Sequence, residues 1–153
     1  MDAQARLDGF KTRMDSYFSS KHLYPAAFNP DFTIADTLSV SDMDQLTQND
    51  CFNYSFQLCQ YADYVGFERA EVEGIARWCE NSLNMIIASQ IDEMAGEYLK
   101  YEIKVAKIVR NDLLASKVNE WLLEAQARLE PLKNREYNIR KKADILIEKG
   151  KRK

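Results

Sequence analysis

Apolar side chains recur at helical spacing along most of the chain. Leu7, Phe10, Met14, Tyr17 and Phe18 form one stripe, which predicts an amphipathic helix over residues 2–20 with Asp2 as its N-cap. Lys21 to Val40 breaks the period with Pro25 and Pro30, and the pair Asn29-Pro30 is a turn signal. This stretch therefore reads as an extended connector, with a short strand as the alternative. Ser41 with Asp44 resembles a capping pair, after which Met43, Leu46, Tyr54, Leu58, Tyr61 and Val65 keep helical spacing until Gly66 offers a stop. A further helix is expected from Glu68 to Gly96, with Val72, Ile75, Cys79, Leu83 and Ile86 on its apolar face and Gly74 costing it ~1 kcal/mol.

The segment from Glu97 onward is the most regular. Ala115, Val118, Leu122, Ala125, Leu129, Leu132, Ile139, Ala143 and Leu146 follow a three-and-four step interrupted only at Glu136, a coiled-coil or bundle seam. Pro131 lies within it, so the helix either kinks there or restarts with Pro131 in its first turn. The predicted fold is all-α, with elongated antiparallel helices and a C-terminal heptad seam that joins subunits. Residues 1–40 are expected to form an N-terminal helix and proline-containing connector, and residues 41–153 a helical oligomerisation domain that also carries a basic tail.

Composition supports this reading. Five glycines and three prolines in 153 residues are too few for a turn-rich β fold, and 46% hydrophobic residues suffice for a core. The longest apolar run is Met85 to Ala88, against about 20 residues for a membrane span, and the first residues lack a basic-then-apolar leader. A cytoplasmic protein with no membrane partner is expected, whether in a cell or in an infected one. Cys51, Cys59 and Cys79 lack paired close spacing and only one histidine, His22, is present. Zinc, di-iron and Ser- or Cys-nucleophile constellations therefore lack parts, and no glycine-rich phosphate loop occurs. No metal, cofactor or catalytic residue is expected, and the cysteines read as free thiols.

Charge is strongly divided. Residues 1–97 hold 16 acidic and 6 basic side chains, a net −10, whereas residues 98–153 hold 8 and 15, a net +7. No Lys or Arg falls between His22 and Glu68, so the aromatics Tyr54, Phe56, Tyr61, Tyr64 and Phe67 read as core or interface rather than phosphate contacts. In the basic tail, Lys133, Arg135, Tyr137, Arg140, Lys141 and Lys142 combine cations for phosphates with a ring on which a base can stack. The plainer reading is a helix end whose cations complement its dipole. A second stripe, Lys100, Lys104, Lys107 and Arg110, either extends that footprint or pairs with the acidic half of the same or another subunit.

The stretch from Leu129 to Arg140, with Trp121 before it and Asp144 after, resembles the C-terminal segment of phage recombination mediators of the UvsY type. Leu132, Lys133, Asn134, Arg135, Tyr137, Ile139 and Arg140 carry the likeness over about 25 of 153 residues. It implies a non-enzymatic helical protein that forms a ring-like homo-oligomer and binds single-stranded DNA. Such a protein helps load a RecA-like recombinase onto strands coated by single-strand-binding protein. Under that reading Lys133, Arg135, Tyr137, Arg140, Lys141 and Lys142 contact DNA, and Ala115, Val118, Leu122, Leu129, Leu132 and Ile139 join subunits. The alternative is a helical structural, assembly or adaptor protein acting through its seam.

Overall fold

The computed structural model describes residues 2–153 and is all-α, with no strand among them. Helices α1 (Ala3–Ser20), α2 (Asp31–Asp36), α3 (Val40–Gln45), α4 (Gln48–Gln90), α5 (Tyr101–Asn111) and α6 (Leu113–Lys151) follow one another, with a 3-10 turn at Ile91–Met94. They build two compact units. One comprises Met1–Leu23 and Glu71–Leu129, the other Tyr24–Ala70 and Glu130–Lys153, so residues 1–40 contribute to both.

Local chemistry explains most helix ends. Asp2 accepts from Ala5 N at 2.7 Å and opens α1. At the other end His22 takes φ 57°, and the Leu23 N–H donates to the Phe18 carbonyl at 2.9 Å, the left-handed closure usually given to glycine. The connector holds a short helix, α2, rather than a strand. Asn29 Oδ1 accepts from Asp31 N at 2.9 Å and Pro30 precedes α2, because proline is harmless where a helix needs no N–H donor. Helix α2 buries Phe32 and Ala35.

The capping pair is Ser39 and Asp42, two residues earlier than Ser41 and Asp44, with reciprocal bonds of 3.0 and 2.9 Å. A second box, Thr47 with Asp50, opens α4 through bonds of 3.2 and 3.1 Å. Helix α4 then runs unbroken through Gly66, where a stop was expected. A methyl on Gly66 would lie 2.8 Å from Glu136 Oε1, so this glycine makes room for a facing carboxylate rather than ending a helix.

Asp112 divides the C-terminal segment. It leaves helical geometry at φ −89°, ψ 120° to end α5, and its carboxylate accepts from Ala115 N at 2.9 Å to begin α6. Pro131 neither starts a helix nor interrupts α6. A proline in a helix interior removes a donor and crowds the preceding turn, but it also restricts the unfolded chain. Pro131→Ala is therefore expected to raise stability by about 1 kcal/mol, read as a higher urea midpoint at unchanged slope.

In each unit α4 and α6 run antiparallel. In the second unit Gln48 Nε2 reaches the Gly150 carbonyl at 3.0 Å and Ser55 Oγ the Ala143 carbonyl at 3.1 Å. Its core joins Cys51, Leu58, Ala62 and Val65 to Ile139, Ala143 and Leu146. The first unit sets Cys79 and Leu83 against Ala115 and Val118, and Phe10 of α1 stacks on Trp78 with centroids 6.0 Å apart. Cys51, Cys59 and Cys79 are free thiols, and burial pushes the Cys79 thiol up.

Within the chain the seam positions are packed as follows. Ala115, Val118 and Ile139 are at most 1% exposed within their own chain, while Leu122 and Leu132 pack half-buried against the two cores. Helix α4 of the same molecule packs against these positions. No helix among the described residues is long and apolar enough to cross a membrane.

Candidate nucleic-acid interface

Packing of α6 against α4 sorts the six basic-segment residues onto two flanks of one helix. Arg135 and Lys142 lie toward the body of the second unit. There Arg135 pairs with Asp36 and places its guanidinium 5.4 Å from the centre of the Tyr61 ring. Lys142 reaches Asp36 Oδ1 at 2.7 Å and the Asp36 carbonyl at 3.1 Å. Arg140 sits at the edge, 3.1 Å from Asp63 and 3.5 Å from Glu136. Glu136 also accepts from Arg69 at 2.7 Å.

Electrostatics follow from this geometry. Burial alone would raise the Asp36 carboxyl, but hydrogen bonds and charge from Arg135 and Lys142 outweigh it and hold the group below its ordinary 3.8. The hydrogen bond it donates to Asp36 pushes the Arg135 guanidinium up against its own burial, and the bond to Asp63 does the same for Arg140. Near the end of α6 Lys149 pairs with Asp44, and just beyond the helix Lys153 Nζ donates to the carbonyls of Met43 and Asp44 at 3.0 and 3.1 Å. The division of charge along the sequence is thus answered inside this unit. Of the aromatics read as core or interface, Tyr61 receives a cation from α6, the Arg135 guanidinium.

The solvent flank is different. Lys133, Tyr137 and Lys141 fall at intervals of four residues, which aligns them on one helix face. All three are exposed, Tyr137 at 60%, and Lys141 Nζ lies 5.4 Å from the centre of its ring. Ion pairs leave this flank free to meet a ligand, whereas a phosphate approaching Arg135 or Lys142 must first displace Asp36.

Asp36, Asp63 and Asp44 were not visible in the sequence as members of this site. Their partners lie 99, 77 and 105 residues away, and no local spacing encodes such a pairing. Of the second stripe, Lys107 pairs with Glu97 at 3.5 Å. No family model, curated protein or solved structure matches the chain.

Proposed function

We propose that this chain is a non-enzymatic helical protein that binds single-stranded DNA and acts as a recombination mediator. In that role it helps a RecA-like recombinase replace single-strand-binding protein, as its resemblance to the UvsY-type mediators implies. The observation that carries the binding is the flank of α6 where Lys133 and Lys141 bracket Tyr137, neither lysine holding an ion pair among the described residues. Cations at such spacing neutralise phosphates while the ring offers a surface to a base, without regard to sequence. Affinity from one such flank is modest, and a homo-oligomer would multiply it by presenting several flanks to one strand.

The test is fluorescence anisotropy of a labelled single-stranded oligonucleotide, with a duplex control, over a range of salt. Lys133→Ala with Lys141→Ala is expected to weaken binding about tenfold and to flatten the salt slope by about 1.4, at ~0.7 per phosphate contact. Equal binding by parent and variant would remove the function from this flank.

A second reading, a helical assembly or adaptor protein, is favoured by one observation in the first unit. Leu113 is 89% and Met85 75% exposed, and Met85 borders a groove of about 200 Å³ that Trp78, Ile86, Leu114 and Val118 help to line. That reading predicts association with a protein partner and no salt-dependent DNA binding.

A further inference from the structure

We infer that α5 and the residues just before it form a second contact for single-stranded nucleic acid, made by Tyr98, Lys100, Tyr101, Lys104 and Arg110. The inference rests on the proposed DNA-binding function and extends it to a surface of the first unit.

Three observations carry it. First, Tyr98 is fully exposed and Tyr101 is 62% exposed, so two large rings stand in solvent within four residues of each other. A ring left bare forgoes the burial that usually stabilises it, and two together offer neighbouring platforms for bases. Second, Lys100, Lys104 and Arg110 hold no ion pair among the described residues, in contrast to Arg135, Arg140 and Lys142 of α6. Lys107 is the one member of the stripe that is paired, and its partner Glu97 lies outside the helix. Third, α5 turns its apolar side inward. Ile108 is buried, Val109 packs against the first unit's core, and Glu102 is the single acid between Tyr98 and Arg110.

The arrangement selects its ligand class. At 1.5 Å per residue, Lys100 to Arg110 spans ~15 Å, enough to follow several consecutive phosphates. Rings interleaved with unpaired cations suit a flexible polyanion whose charges alternate with flat apolar groups. A membrane surface would instead demand a broad exposed aliphatic face, and Ile103, at 45%, is the one large aliphatic side chain of α5 that is exposed among the described residues. A duplex hides its bases and gives the tyrosines nothing to stack on.

The experiment uses the full chain and labelled oligothymidylate, with three variants. Tyr98→Ala with Tyr101→Ala is expected to weaken binding at least tenfold while leaving the salt slope unchanged, because the rings carry no charge. Lys100→Ala with Arg110→Ala is expected to weaken binding and flatten the slope by about 1.4. Photo-crosslinking to an oligonucleotide bearing 5-iodouracil is expected to label Tyr98 or Tyr101 in mapped peptides. Because these side chains lie outside both cores, circular dichroism melts should match the parent. If only Lys133→Ala with Lys141→Ala weakens binding, the α5 contact is overturned while the proposed function stands. Should only the α5 variants weaken it, the α6 flank loses its role and α5 keeps its own. A parent that binds no single strand at low salt overturns both. Binding to vesicles of anionic lipid in preference to oligothymidylate overturns the α5 contact in favour of a membrane surface.

Discussion

Ile139→Asp is expected to abolish the cooperative unfolding transition of the second unit. Ile139 is fully buried between α4 and α6, in the cluster that holds Leu58, Ala62, Val65 and Leu146. Loss of its apolar volume alone costs about 2–5 kcal/mol. A carboxylate there has no cation to meet, because the nearby Arg135, Lys142 and Arg140 of α6 are paired with Asp36 and Asp63. Together the two penalties reach the whole stability of an ordinary domain, about 5–15 kcal/mol. Ile139→Val, which removes one methylene, should cost about 1 kcal/mol and preserve the transition. Urea denaturation followed by circular dichroism, alongside sedimentation of the folded fraction, separates this from a subunit-seam role. If Ile139→Asp kept the parent's helicity and midpoint but lost oligomer mass, the seam would face another subunit after all.

That experiment also marks how far the sequence could be read. Helical spacing at Leu58, Val65, Ile139 and Leu146 correctly picked core positions, and Asp2 correctly marked a helix start, because both signals act within a turn or two of chain. A heptad face reports that some helix covers it, but not which chain supplies that helix. Helix ends were legible only in part. Ser39 with Asp42 and Ser41 with Asp44 share one spacing, and the backbone closes only the first into a box. Gly66 resembled a stop, yet a glycine ends a helix only when it turns left-handed, and here no glycine among the described residues has positive φ. At Gly66 the determinant is Glu136, 70 positions away and invisible to any local pattern. The site followed the same rule. The residue types of the basic segment were plain, whereas their division into a paired flank and a bare one depends on carboxylates supplied by distant elements.

Asp36→Asn should move stability and DNA binding in opposite directions. The Asp36 side chain is 13% exposed and takes hydrogen bonds from both Arg135 and Lys142. An amide keeps the shape but not the charge, and the two cations, being partly exposed, can turn to water. Loss of these charge-assisted bonds should therefore cost about 1–2 kcal/mol at neutral pH, less than in a sealed core. The pH dependence follows from the depressed carboxyl. Its pKa in the folded protein lies below the ordinary 3.8, so its stabilisation is complete well above that value and is lost as pH falls through the folded pKa. Parent and variant should differ most near neutrality and converge below about pH 4. Asp42, Asp44, Asp50 and Asp112 are also held low, by Ser39, Lys149, Thr47 and the Ala115 N–H in turn, so both proteins still weaken in acid. For DNA the expectation reverses. Arg135 and Lys142, released from Asp36, become available to phosphates, which should tighten single-strand binding about tenfold at low salt and steepen the slope by up to ~1.4. Reduced stability with unchanged affinity would place both cations outside the path of the strand and leave Lys133, Tyr137 and Lys141 as the whole of the α6 contact.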